Sequence, residues 1–106
     1  MADKSWKAWE RRVAKWFPDG RRRGADFRGD HSGKSDVISD GWSIEVKLLG
    51  RPTYGGMKDA ARQAETNKEH PSDIPVAIVK KKGDPDKDAL VVMRLESFSE
   101  YFINRK

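Results

Sequence analysis

From Trp42 onward the chain alternates strictly: Trp42, Ile44, Val46 and Leu48 are apolar, while Ser43, Glu45 and Lys47 are polar. A period of two predicts a strand with one face on a core. Val37 and Ile38 precede it across Asp40-Gly41. That dipeptide predicts a two-residue hairpin of type I′, with positive φ at both central positions. With Asp40 and Gly41 as the loop, Ser39 pairs with Trp42, Ile38 with Ser43, Val37 with Ile44, and Asp36 with Glu45. Glu45 and Lys47 share the face opposite the core, which is expected to be exposed.

A period near 3.6 marks the flanks. Trp6, Trp9, Val13, Trp16 and Phe17 predict an amphipathic helix over residues 4–17, with Asp3 as N-cap and Pro18 and Gly20 as the stop. Glu10 borders its apolar stripe, where a carboxylate is costly to bury without a partner. Residues 57–69 predict a second helix, with Met57, Ala60, Ala61 and Ala64 as a small-residue face that lets it sit close to a sheet. Arg62 and Gln63 fall away from that stripe, and His70-Pro71 ends the helix. Ile74 to Val79 is a continuous apolar run, the pattern of a strand covered on both faces, and Lys80 to Lys82 extend it toward solvent. Ala89 to Met93 predicts another buried strand. Ser97 with Glu100 predicts a capping box opening a last helix, whose Phe98, Tyr101, Phe102 and Ile103 complete the core or form a subunit interface. The order implies one α/β domain over residues 1–106, a sandwich built on a mixed central β-sheet flanked by helices.

Charge changes this picture more than composition does. The 106 residues contain no cysteine, which excludes disulfides and thiolate metal sites. No apolar run reaches membrane-spanning length, and the first residues lack the apolar core of a signal peptide. The expectation is a soluble, cytoplasmic protein. The net charge of +5 is carried wholly by residues 1–34, with ten Lys or Arg against five Asp or Glu; the remainder has twelve of each. Such a basic block is the electrostatic footprint of nucleic-acid binding. Residues 20–35 hold four glycines and five cations, so a mobile basic loop is expected, with a short strand near Ala25 to Arg28. Arg21, Arg22, Arg23, Arg28 and Lys34, with Arg11 on the first helix, suit phosphate contacts. His31 is more simply a loop residue.

The hairpin brings in chemistry. Facing carboxylates about 5 Å apart at Cβ repel each other and destabilise a sheet. A cation held between Asp36 and Glu45 relieves that repulsion, with Lys47 as a charged neighbour. Glu10 joins them if the first helix packs on the hairpin.

Glu10, then Ser35-Asp36-Val37, then Glu45-Val46-Lys47 resemble the core of the PD-(D/E)xK nucleases. Length and order are most similar to the archaeal-type and phage Holliday-junction resolvases, over roughly residues 4–80. Ser35 stands where the family usually has proline. The resemblance implies a restriction-endonuclease-like sandwich and a homodimer that nicks four-way DNA junctions. It implies Mg²⁺, with Mn²⁺ as a substitute, held by Asp36, Glu45, the main-chain carbonyl of Val46 and Glu10. Lys47 would orient the attacking water or stabilise the developing charge, and Ser32 is the closest candidate for a loop serine used by some relatives. Leu48-Leu49 and the terminal helix are candidate dimer contacts. Two alternatives stay open: another nuclease of this type on duplex or branched DNA, and a non-catalytic basic DNA-binding module.

Overall fold

A computed structural model describes residues 5–23 and 36–104. In chain order these form helix α1 (Ser5–Ala14), strands β1 (Arg21–Arg22), β2 (Val37–Ser39) and β3 (Trp42–Leu49), helix α2 (Tyr54–Thr66), strand β4 (Ile74–Lys81), strand β5 (Leu90–Val92) and the short helix α3 (Leu95–Phe98). The five strands make one mixed sheet in sequential order, antiparallel except for the parallel β3–β4 pair. The α/β architecture read from the sequence is thus present. No helix among the described residues is long and apolar enough to cross a membrane.

Each main helix covers its own face of the sheet. On one face Trp9, Val13 and Ala14 of α1 pack on Val37, Ile44, Val46, Val76 and Ile78. On the other, Ala60 of α2 meets Ala77 and Val79, with Leu49, Met57 and Val92 around them. Leu48 packs against the first cluster and Leu49 against the second, so both serve the interior.

The hairpin register is the expected one, Val37↔Ile44, Ile38↔Ser43 and Ser39↔Trp42. Its turn is not type I′. Only Gly41 has positive φ, 87°, and Asp40 does not share it. The Gly41 carbonyl accepts from the Ile74 amide at 2.9 Å, so the turn is also tied to the start of β4. Helix α1 ends at Ala14, and residues 15–17 continue as tighter turns whose amides bond three residues back. Gly20 follows because a Cβ there would lie 2.1 Å from the Ala14 carbonyl oxygen.

Four expectations need correction. Helix α2 begins at Tyr54, because the Thr53 hydroxyl accepts from Gly56 N at 3.0 Å and offsets the two glycines of the first turn. Lys80 is only 8% exposed: Nζ donates to Asp86 Oδ1 at 2.6 Å and sits 4.8 Å from the Trp9 ring centre. Strand β5 is not buried, since it is the sheet edge, and Leu90 and Val91 are exposed. The capping box does not form. Ser97 Oγ donates instead to Glu65 Oε2 at 2.8 Å, a carboxylate that Arg94 also grips. Past α3 the chain makes a π-helical turn, Ser99–Ile103, which leaves Leu95, Phe98, Phe102 and Ile103 exposed. The strand expected near Ala25 to Arg28 and the Asp3 cap lie outside the described residues, and β1 is the strand seen beside the hairpin.

Candidate active site

Strand β2 is three residues long and β3 is eight, so β3 runs on past its partner. Asp36 stands at that step. Its main-chain amide donates to Ile44 O at 3.1 Å, and its Oδ2 accepts from Val46 N at 3.0 Å. The carboxylate takes the place of a further β2 residue at the end of the ladder. An extended residue turns its N–H and C=O to the same strand edge, so the Val46 carbonyl also faces the Asp36 side.

Glu45 lies opposite Asp36, on the α2 face. Contrary to the expectation of an exposed acidic face, it is 3% exposed. The alanine face of α2 comes close enough for Ser43 Oγ to donate to Ala64 O at 2.7 Å, and the helix end brings Asn67 Nδ2 to Glu45 Oε2 at 2.8 Å. Burial, and then the charge of Asp36, push the Glu45 carboxyl up to about 7, while Asn67 and Lys47 pull the other way. The two carboxyls are close enough to hydrogen-bond each other. Glu45 therefore changes charge near neutral pH.

Glu10 reaches the same end of the hairpin from α1. It is buried, and Oε1 accepts from Arg22 Nε at 2.7 Å. Burial raises its carboxyl above the usual range, Arg22 opposes this, and the charge of Asp36 raises it further. Asp36 thus lies electrostatically between the two glutamates. Lys47 is half-buried, on the same face as Glu45, and its carbonyl accepts from Trp9 Nε1 at 3.1 Å. That bond ties β3 at Lys47 to the largest side chain of the core.

The basic residues divide. Arg11 and Arg21 are exposed. Arg22 turns inward to Glu10, and Arg23 Nη2 bonds Glu69 Oε2 at 2.7 Å. Arg28, His31, Ser32, Lys34 and Ser35 lie outside the described residues. Gln63 is exposed and its main-chain carbonyl accepts from the Asn67 amide, so Asn67, which caps α2, is the residue at the site. Sequence reading passed over Asn67 because it fell inside the helix expected over residues 57–69, whereas α2 ends at Thr66 and Asn67 caps it.

Among the described residues no group of three or more His, Asp or Glu forms a ready metal cage. The donors present still fit a hard cation. Asp36, Glu45 and the Val46 carbonyl offer oxygen alone, and Mg²⁺ commonly binds through one or two carboxylates while keeping its waters. Glu10 is held by Arg22, whose guanidinium already satisfies one of its oxygens. Comparison with known proteins finds no matching family model, no matching curated protein and no matching solved structure.

Proposed function

We propose that this chain is a metal-dependent endonuclease of the restriction-endonuclease-like type, hydrolysing phosphodiesters in branched DNA such as four-way junctions. One observation carries the reading. Asp36 and Glu45 meet at the open end of a hairpin beside Lys47, and Glu45 is held near a pKa of about 7. A carboxyl whose charge is disfavoured by burial and by a neighbouring carboxylate makes a place where a divalent cation replaces a proton.

In this reading Asp36, Glu45 and the Val46 carbonyl hold Mg²⁺ or Mn²⁺, which when bound neutralises charge on the scissile phosphate. Lys47 positions the attacking water. Water gives up a proton as its oxygen adds to phosphorus, one P–O ester bond breaks, and the leaving alkoxide takes up a proton, so the sum is the addition of one water across that bond. Glu10 and Arg22 form a neutral pair that orients the approach. Exposed Arg11 and Arg21 contact flanking phosphates, as would Arg28 and Lys34. A two-fold dimer supplies the paired nicks a junction needs. The exposed apolar side chains of β5 and the terminal turns are its candidate contact.

The non-catalytic alternative is favoured by the Arg22–Glu10 pair, which satisfies one acid without a metal. The deciding assay offers labelled four-way junction, flap and linear duplex with and without Mg²⁺. Symmetric Mg²⁺-dependent nicks on the junction, lost in Asp36→Asn and Lys47→Ala, support the proposal. Tight binding with no cuts in any metal sinks the enzyme and leaves the binding module.

A further inference from the structure

Trp6 is 47% exposed, although it sits on α1, the helix whose Trp9 forms the core. It precedes Glu10 by one helical turn. Lys7 Nζ lies 5.5 Å from its ring centre and the Arg22 guanidinium 5.7 Å. Arg22 is the same side chain whose Nε holds Glu10. The indole and a nearby buried acid are therefore linked through one guanidinium, with Lys7 as a second cation beside the ring.

We infer that Trp6 is a stacking platform for an unpaired nucleobase. A nucleotide presents a flat π-face and, a few ångströms away, an anionic phosphate. Trp6 with Lys7 and Arg22 presents the complement of both. Both cations lie over the ring at cation–π distance, and the residue is still 47% exposed, so a base can reach the indole beside them. Trp16 is exposed as well, but it lines an apolar cavity of about 320 Å³ together with Phe17 and Val91, away from Glu10.

Geometry sets the reach. Four helical residues advance about 6 Å, close to two base steps at about 3.4 Å. A base stacked on Trp6 thus lies about one helical turn along α1 from Glu10. Such a platform selects DNA with unpaired bases, because a base inside an intact duplex presents no free face. The inference rests on the nucleic-acid part of the proposed function and not on cleavage.

Its test is a binding measurement in metal-free buffer, so that no bond is cut. Fluorescein-labelled oligothymidylate and a blunt duplex of equal length are titrated with the native chain, Trp6→Ala and Trp6→Phe. The expectation is a roughly tenfold loss of oligothymidylate affinity in Trp6→Ala, recovery of most of it in Trp6→Phe, and a change under about twofold on duplex. Equal binding by native chain and Trp6→Ala overturns the inference, as does an equal loss on both probes. If Trp6→Ala does not fold, tryptophan emission decides: oligothymidylate must quench the native chain more than Trp6→Phe, and equal fractional quenching overturns the inference. The two ideas fail separately. Junction nicking by a chain whose oligothymidylate binding ignores Trp6 removes the platform alone, and Trp6-dependent binding without nicking removes the nuclease alone.

Discussion

The two faces of the sheet are built from different materials. The α1 face is filled with large side chains, Trp9, Val13, Ile44, Val46 and Ile78, and the charges buried there, Glu10 and Lys80, are each held by an oppositely charged side chain. The α2 face is lined with Ala60, Ala61, Ala64 and Ala77, and it buries Ser43 and Glu45 among them. Large residues gain stability in proportion to the apolar area they remove from water. Small ones gain less, but they bring the helix backbone close enough for its carbonyl and its terminal amide to satisfy a buried hydroxyl and a buried acid. One face supplies stability, and the other spends some of it on keeping Glu45 dry.

The strongest way to break this contrast is Trp9→Ala. Deleting that side chain is expected to lower unfolding free energy by about 3 to 5 kcal/mol in urea titrations. A loss below about 1 kcal/mol would place the stability elsewhere. Glu45→Gln probes the other face through pH. In the fold Glu45 titrates near 7, against 4.5 in the unfolded chain, so between those values the folded state carries the extra proton. Stability contributed by this group therefore falls as pH rises through that window, by at most roughly 3 kcal/mol, and is level above it. Glu45→Gln should lose this slope and be the more stable protein at pH 8. Mg²⁺ should recover part of the alkaline loss in the native chain and none in the variant.

Ala64→Leu forces α2 outward. A cost of about 1 to 3 kcal/mol is expected, together with a lower Glu45 pKa as water enters, readable from carboxyl carbon shifts in NMR titration. An unchanged Glu45 pKa would show that α2 does not set it. The smallest effect belongs to the helix start. Thr53→Ala removes the acceptor for Gly56 N and should cost about 1 kcal/mol by thermal unfolding, whereas Thr53→Ser should cost little.

Much of the framework was legible because it follows from local periodicity. Asp40-Gly41 and the alternation after it fixed the hairpin register, and the alanine stripe announced a close helix. What covers a face is not local information. Alternation put Glu45 and Lys47 on one side but could not say that α2 lies over that side, so a buried acid looked exposed. Lys80 looked solvated for a similar reason, because its partner Asp86 belongs to a loop that reads as acidic surface. Tyr54 was missed as a helix start since Gly55-Gly56 argues for a connector until the Thr53 cap is seen. The Ser97 capping box lost to a stronger competitor, Glu65 held by Arg94.

Asp86 has one more consequence, in time rather than space. Its Oδ2 accepts from Arg12 Nε at 2.7 Å across 74 residues of sequence, and the pair of cations holds its carboxyl below the ordinary value. During synthesis at about 5 to 20 residues per second, Arg12 is made roughly 4 to 15 s before the residue that anchors it. The first helix also needs β3 and β4 to bury Trp9, so it leaves the ribosome without its docking surface. Folding of this chain is therefore gated by its C-terminal half, and a nascent chain stalled before β4 should show α1 open to protease.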